Sequence, residues 1–317
     1  MPAIFTGKRV KLLGCIFALL CFGGMLLTHV DAAAQAAERS LALCGRVLLP
    51  SLFPFFIVSS LMGEYLPASG LSRLAGWPFH RLFHLPRDCF IVPLMGALGG
   101  YPVGARMAAR FFLDGRCSEN EAVRLLMFCN NAGPAFVINV VGMGLLHDGR
   151  TGLLLFAIHL LTSCMIGLIY SWKSKIDKES YFTEKQEDFS FAASLLRAVS
   201  EGFSAFLTVC AYVIFFAIVI ELLRRFLPLK MGAAAAVLMG CLEMTTGISM
   251  LCAMPLPAAV CLPAIAFLLG WGGASVQFQS VQLLRQSGLP CGAYLAGKLI
   301  QGCVSALFVF GFLILFR

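Results

Sequence analysis

The sequence predicts an all-α, polytopic membrane protein, and three observations carry this prediction. The 317 residues are 59% hydrophobic and only 13% charged, with a mean hydropathy of +0.87, whereas soluble domains average about 25% charged residues. The apolar runs are long enough for membrane spans of roughly 20 residues. Four runs are interrupted by glycine and polar residues, which predicts broken helices and re-entrant hairpins beside the simple spans.

The chain begins with a basic segment followed by an apolar run. Three basic residues between positions 8 and 11 precede the apolar residues 12–27. The positive-inside bias predicts a first span with a cytoplasmic N-terminus, and a cleaved secretory signal within residues 1–34 is the alternative. We assign residues 1–40 to this span and the loop after it.

Residues 41–172 form the first of two predicted gate-type repeats. Its predicted elements are a span (41–63), a basic and aromatic interfacial helix (68–88), a re-entrant hairpin (89–114), a helix broken at Asn130 and a last span (151–172). The broken helix starts at a capping box, because Ser118 stands three residues before Glu121.

A polar linker at 173–190 separates this half from the second repeat, residues 191–317. Its predicted elements are a span (191–222), a broken segment (231–252), a second hairpin (258–287) and a last span (291–316). An offset of 173 aligns Gly99 with Gly272 and Gly100 with Gly273, and the matches fall on the breaks. We therefore predict two related halves, inverted with respect to each other. The side to which Arg224 faces stays open, since its predicted outward position opposes the positive-inside trend.

The first break, GGYPVGAR, is a candidate anion site. Gly99 and Gly100 allow close backbone approach, and Pro102 removes a donor. The following helix start offers free N–H groups, and Arg106 lies about one turn inside it. We predict that this tip, with Tyr101, holds a substrate carboxylate. Snorkelling of Arg106 to the interface is the alternative.

The second break, FCNNAGP, places two amides where hydrocarbon cannot satisfy them. Asn130 and Asn131 carry several donors and acceptors, and Pro134 frees nearby carbonyls. This combination predicts ligand coordination by a discontinuous helix. Interhelical hydrogen bonding by the two amides is the alternative.

The other two breaks supply an acid and several amides. Glu243 is the only charged residue of positions 231–284, and an intramembrane carboxylate is a functional hypothesis by default. With Thr245 and Thr246 it is predicted to hold a coupling proton or sodium ion, burial favouring its protonated form. In GWGGASVQFQ, Ser275 and Gln277 are the predicted substrate contacts, since Gln277 and Gln279 lie on different helix faces and only one of them can line a site. Helix packing through the small residues is the alternative.

Several classes of function receive no support from the sequence. There is no GxxxxGK[ST], HExxH or GxSxG motif, so we predict neither an enzyme nor a cofactor. The formal net charge of +8 comes mostly from residues at helix ends, where they report topology rather than nucleic-acid binding.

The motifs LFPFFIVSSL, GGYPVGAR, RLLMFCNNAGP, GCLEMTTG and GGASVQFQ resemble the YlbJ/SpoVV family of sporulation integral membrane proteins. That family is grouped with the nucleoside-recognition, or gate-domain, proteins, which are similar to concentrative nucleoside transporters. The resemblance implies a mother-cell protein of the outer forespore membrane that moves dipicolinate, with substrate bound at re-entrant hairpins.

The resulting prediction is a secondary transporter of a small organic anion in the bacterial cell membrane, driven by a proton, by sodium or by the substrate gradient. Two alternatives stay open, namely a non-transporting scaffold of sporulation and a transporter of nucleoside-like solutes. The sequence also leaves a homo-oligomer open.

Overall fold

A computed structural model describes residues 7–68, 71–172, 190–226 and 232–315. These ranges are almost entirely helical. The helices are α1 (Gly7–Thr28), α2 (Val30–Leu43), α3 (Leu49–Ala68), α4 (Leu71–Phe83), α5 (Ile91–Gly99), α6 (Val103–Leu113), α7 (Glu119–Cys129), α8 (Gly149–Trp172), α9 (Phe191–Phe226), α10 (Ala233–Leu242), α11 (Met244–Cys252), α12 (Ala258–Trp271), α13 (Gly273–Gln286) and α14 (Gly292–Leu315). A π-helical turn (Cys44–Leu48) joins α2 to α3, a 3₁₀ turn (Arg87–Phe90) precedes α5, and a π-helical segment (Ala135–Leu145) follows α7.

Six helical stretches in these ranges are long and apolar enough to cross a membrane. They are Val10–Thr28, Val30–Leu66, Gly149–Trp172, Phe191–Phe226, Ala258–Gln286 and Gly292–Leu315. The prediction of an all-α, polytopic and multi-pass membrane protein is therefore confirmed. Positions 173–189 of the predicted linker lie outside the described residues.

A pair of long antiparallel helices forms one side of the molecule. Residues 30–40, predicted as a loop, are helical because an alanine-rich segment there continues through the π turn into α3. This long helix packs along α9. Arg39 pairs with Glu221 at 3.2 Å at one end, and Arg197 pairs with Glu64 at 2.8 Å at the other. We call these the Arg39 end and the Arg197 end.

The first predicted hairpin is present as α5 and α6. A Cβ atom on Gly96 would lie 3.0 Å from Cα of Gly104 and 1.7 Å from the carbonyl oxygen of Cys129. Because these atoms belong to both arms and to α7, glycine lets the three segments meet at backbone contact.

The second hairpin lies at α10 and α11, so its predicted position at 258–287 is wrong. A Cβ on Gly247 would lie 2.2 Å from Cα of Gly240, and these arms pack along each other. In contrast, α12 packs along α14 while α13 packs against α6 and α9. Gly272 and Gly273, with φ of +85° and +77°, redirect this helix without folding it back. In the two hairpins of this structure, glycines of the two arms face each other. A glycine pair at a break therefore does not by itself predict that the helix turns back on itself.

Each half thus contains a hairpin whose tip rests on the break of the next helix. A Cβ on Gly100 would lie 2.9 Å from the nitrogen of Gly133, and one on Gly273 would lie 2.9 Å from the nitrogen of Met244. Gly273, at the break of the second half, lies 140 residues after Gly133, at the break of the first half. The predicted offset between the halves was 173 residues. An inversion relating the halves stays a prediction.

Candidate functional site

All four breaks meet at one small buried cavity, the central cavity. Its volume is about 50 Å³, enough for a few water molecules at roughly 10–15 Å³ each. The residues from the breaks that line it are Gly100, Tyr101, Ala132, Gly133, Glu243, Met244, Thr245, Ser275, Val276 and Gln279. Apolar side chains of α9 and of the segment from the π turn to α3 complete the wall.

The tip of the first hairpin is fixed to the break between α12 and α13. The Tyr101 hydroxyl donates to the carbonyl oxygen of Leu269 at 2.9 Å, in the last turn of α12. That carbonyl has no intrahelical partner, so Tyr101 satisfies it. The two breaks predicted to approach each other therefore do so through this hydrogen bond.

Asn130 connects the second break to three other helices. Its Oδ1 accepts from the backbone N–H of Ala105 at 3.2 Å, in the first turn of α6. Its Nδ2 donates to Ser280 Oγ at 3.0 Å and to Tyr294 Oη at 2.9 Å. Because Asn130 caps α6, one of the N–H groups predicted to receive a substrate carboxylate is already bonded within the protein.

Asn131 closes the same break on the side of α8 and α14. Its Nδ2 donates to the Phe128 carbonyl oxygen at 2.8 Å and to Ser163 Oγ at 3.1 Å. Its Oδ1 accepts from Gln301 Nε2 at 2.9 Å. The donors of both asparagines are thus used inside the protein, which supports interhelical hydrogen bonding, the alternative in the sequence analysis.

Lys298 is a site residue that the sequence analysis missed. It is fully buried, and its ammonium group donates to the carbonyl oxygen of Asn130 at 2.6 Å. The signal was present, because Tyr294, Lys298, Gln301 and Ser305 form a buried polar stripe at helical spacing in an otherwise apolar span. Lys298 lies within two turns of the start of α14. A lysine at such a position commonly extends its ammonium group to the membrane interface, so the sequence did not distinguish it from an interfacial residue.

Glu243 forms the tip of the second hairpin and is the N-cap of α11. Its carboxylate accepts from the backbone N–H groups of Thr245 at 3.0 Å and Thr246 at 2.7 Å, and from the Thr246 hydroxyl at 2.8 Å. The expectation of an isolated acid in apolar surroundings is therefore wrong. Three donors at the N-terminus of α11 therefore surround this carboxyl group, and the residue is only 2% exposed.

The fourth break contributes Gln279 rather than Gln277 to the central cavity. Gln277 Nε2 donates to the carbonyl oxygen of Trp271 at the end of α12, so its predicted role as a substrate contact is replaced by capping. Ser275 lines the cavity. Gln279 also lines it, and its buried Oε1 has no hydrogen-bond partner among the described residues.

A larger cavity of about 340 Å³, the Arg106 cavity, lies on the other side of the first hairpin. Arg106 and Arg110 line it together with Glu201, which accepts a hydrogen bond from Ser60 Oγ at 3.3 Å. Arg106 is half-buried, whereas Arg110 and Glu201 are exposed. Arg110 also pairs with Asp114 at 3.7 Å. The cavity itself is lined by two guanidinium groups and one carboxylate, which favours an anion.

The predicted cooperation of Tyr101 with Arg106 at one site is not observed. Tyr101 lines the central cavity, whereas Pro102 and Arg106 line the Arg106 cavity. Gly99 packs on Ser59, whose Oγ would lie 2.7 Å from an added Cβ. Tyr101 and Pro102 lie in a tight turn, in which the N–H of Val103 donates to the carbonyl oxygen of Gly100 at 2.8 Å, and their side chains face different cavities. The tip is thus a partition between the two cavities.

A third cavity of about 290 Å³ lies at the Arg39 end, and we call it the Arg224 cavity. Arg39, Glu221 and Arg224 line it together with Thr246 and Ser249 of the second hairpin. Thr245 lines both this cavity and the central one. The start of α11 is therefore the second partition.

The three cavities lie in a row along α9. Gly202 and Ala205 line the Arg106 cavity, residues 209 and 213 the central cavity, and residues 217 and 220 the Arg224 cavity. From Glu201 to Arg224 a helix rises about 35 Å, which is close to the thickness of the hydrocarbon core of roughly 30 Å. The row therefore has the length of a path across the membrane.

The two hairpins reach the row from opposite ends. α6 carries Arg106 at the Arg197 end, and α11 carries Thr246 at the Arg39 end. Arg224 and Arg225 lie at the opposite end of α9 from Arg197. There Glu221 pairs with Arg39 at 3.2 Å and with Arg225 at 3.5 Å, so part of the positive charge at this end is neutralised locally.

These features define a multi-pass membrane protein with two helical hairpins and two broken helices around a row of three cavities. The chain is 25% identical to the sporulation integral membrane protein YlbJ of Bacillus subtilis (strain 168), over 323 aligned positions that cover 90% of this chain and 78% of YlbJ. The resemblance to the YlbJ family is thereby confirmed. No family model matches the chain. No solved structure matches it either.

Proposed function

We propose that the protein is a secondary transporter that carries a small organic anion across the membrane by alternating access. The row of three cavities along α9 is the observation that carries this proposal. Two partitions interrupt the row, namely the tip of the first hairpin and the start of α11. A carrier needs two such barriers, since one must stay closed while the other opens.

The Arg106 cavity is the proposed substrate site. Its volume of about 340 Å³ lies within the usual range of roughly 300–1,000 Å³ for small-molecule pockets. Arg106 stays protonated and can bind a carboxylate in bidentate fashion. The central cavity is too small for a ring-bearing substrate, so passage requires the tip around Tyr101 to move.

Glu243 is the proposed coupling group. An anion that leaves the Arg106 cavity approaches a carboxylate in a nearly dry cavity, where like charges repel strongly. A proton or a sodium ion on Glu243 would cancel this repulsion, with Gln279 Oε1 and Ser275 as further oxygen atoms beside it. Cation and anion would then move together.

Dipicolinate in the outer forespore membrane is the substrate we propose to test first. The relative is named as a sporulation protein, and a planar dianion suits a pair of arginines. A nucleoside-like solute lacks the negative charge that Arg106 and Arg110 would recognise. A sporulation scaffold is the second candidate, and it would tolerate changes inside the cavities.

The test is uptake into vesicles that contain the purified protein, with labelled dipicolinate, nucleosides and other small anions compared. We expect saturable anion uptake that Arg106→Gln abolishes and that Arg285→Gln, an exposed arginine on α13, leaves intact. We expect Glu243→Gln to remove the pH dependence or sodium dependence of uptake. Normal uptake by both cavity variants would move the path elsewhere, and absence of any uptake by folded protein would favour the scaffold.

A further inference from the structure

Lys298 carries a buried positive charge that the proposed path does not use. Its side chain is 0% exposed. The ammonium group donates to the carbonyl oxygen of Asn130 and to Gln301 Oε1. It also lies 4.9 Å from the centroid of the Tyr101 ring, within cation–π range. Two oxygens and one aromatic face therefore surround the ammonium group.

No carboxylate in the described part of the chain pairs with this charge. None of the ion pairs found among the described residues includes Lys298. An unpaired charge is expensive to bury, so other groups must stabilise it. The C-terminal end of α7 supplies them, because Asn130 is its C-cap, with φ of −96° and ψ of 100°, and the last carbonyls of a helix carry partial negative charge.

This set of groups is the one by which a broken membrane helix binds a metal cation. Carbonyl oxygens freed by unwinding coordinate sodium in discontinuous helices, and hard cations prefer oxygen ligands. At the α7 break the freed carbonyl and the amide oxygen of Gln301 are both present, and an ammonium group stands where the ion would be.

We propose that the Lys298 ammonium replaces a bound metal cation at the break after α7, so that the protein carries its own cation there. The position of the Lys298 ammonium group rests on geometry alone. The consequence for transport, namely that a coupling ion acts at Glu243 and not at the α7 break, rests on the proposed function.

The test compares Lys298→Ala with Lys298→Met in purified protein, with thermal unfolding measured in sodium chloride and in choline chloride. Alanine leaves the oxygens and an empty space, whereas methionine fills the space without charge. We expect sodium to raise the Tm of the alanine variant by about 3 °C or more over choline. The same comparison in wild type and in the methionine variant should give a clearly smaller shift.

Subtraction of the wild-type shift removes any sodium effect at Glu243, which is present in all three proteins. Equal sodium shifts in the alanine variant and wild type would overturn the proposal. So would failure to recover the alanine variant in sodium-rich buffers while the methionine variant is recovered, or a methionine variant as stable as wild type. Because unfolding requires no transport, the outcome is independent of whether dipicolinate or any other anion is carried.

Discussion

The tip of the first hairpin is tied to other helices, whereas the tip of the second is capped by its own residues. Asn130 of the α7 break caps α6, and Tyr101 donates to α12. At the second tip, Glu243 accepts from Thr245 and Thr246, which follow it directly in sequence. The second hairpin can therefore shift with its cap intact, although the hydrogen bond from Trp271 to the Cys241 oxygen must break, while movement of the first must break several hydrogen bonds between helices.

The difference suggests separate duties in the proposed cycle. α5 and α6 pack against α3, α7 and α13, whereas the neighbours of α10 and α11 lie mainly in α12 and α13. The first tip is then the firm partition and the second the more mobile one. Four measurements can break or sharpen this comparison.

The largest effect is expected at the closest backbone contact of each hairpin, which joins α6 to α7 at Gly104 and α11 to α10 at Gly247. Gly104→Val and Gly247→Val each place side-chain atoms on backbone, since even a Cβ would lie 2.1 Å from the Cys129 oxygen or 2.2 Å from Cα of Gly240. Because backbone cannot yield as a side-chain end does, we expect a loss of at least about 3 kcal/mol and little folded protein. Gly292→Ala, where no atom lies within 4 Å, is the control. Normal accumulation of either valine variant would show that its hairpin is not closed.

A smaller difference is expected between the two caps. Asn130→Ala removes three hydrogen bonds between helices and leaves buried partners unsatisfied, so about 2–3 kcal/mol should be lost. Glu243→Gln keeps an acceptor for the local cap and should lose about 1 kcal/mol. Chemical or thermal unfolding in detergent measures both. If Glu243→Gln is the more destabilising, the second tip is not the self-contained one.

The two ties to α12 offer a matched pair of conservative changes. Tyr101→Phe removes the bond from the first tip to Leu269, and Trp271→Phe removes the bond from Nε1 to the Cys241 oxygen of α10, at 3.1 Å. Each should lower the unfolding free energy by about 1 kcal/mol. If the first tip is the firm partition, only Tyr101→Phe should also raise leak through vesicles. Equal leak in both variants would argue against that assignment.

The subtlest expected difference is in dynamics. Amide hydrogen exchange followed by mass spectrometry should show faster exchange in α10 and α11 than in α5 and α6, because fewer neighbouring helices hold the second hairpin. Binding of sodium or a proton at Glu243 should slow exchange in the second hairpin first. Faster exchange in the first hairpin would reverse the assignment of firm and mobile partitions.

Much of the fold could be read from local chemistry. Glycine and proline at GGYPVG and NNAGP cannot continue a helix without loss of hydrogen bonds, so these breaks were predictable. Ser118 and Glu121 do form the capping box. The second hairpin was misplaced because a glycine pair can have two structural effects. It can turn a helix back on itself, or, as at Gly272, it can change the direction of the helix without reversing it.

The candidate site was less predictable because its polar groups come from separate helices. The sequence marks Asn130 as a polar residue at membrane depth, but not that Ser280 and Tyr294 use its donors. It marks Arg106 and Tyr101 as near neighbours, but not that the tight turn between them directs them into different cavities.

The sequence by itself determined the membrane class, the helical content and the positions of the four breaks, because these depend on hydropathy and on backbone properties of single residues. The tertiary structure alone decided that the breaks converge, that α10 and α11 form the second hairpin, and that Lys298 is buried beside Asn130. The physical reason is that hydrogen bonds freed by a break must be satisfied inside the protein, and only packing selects which distant residues satisfy them.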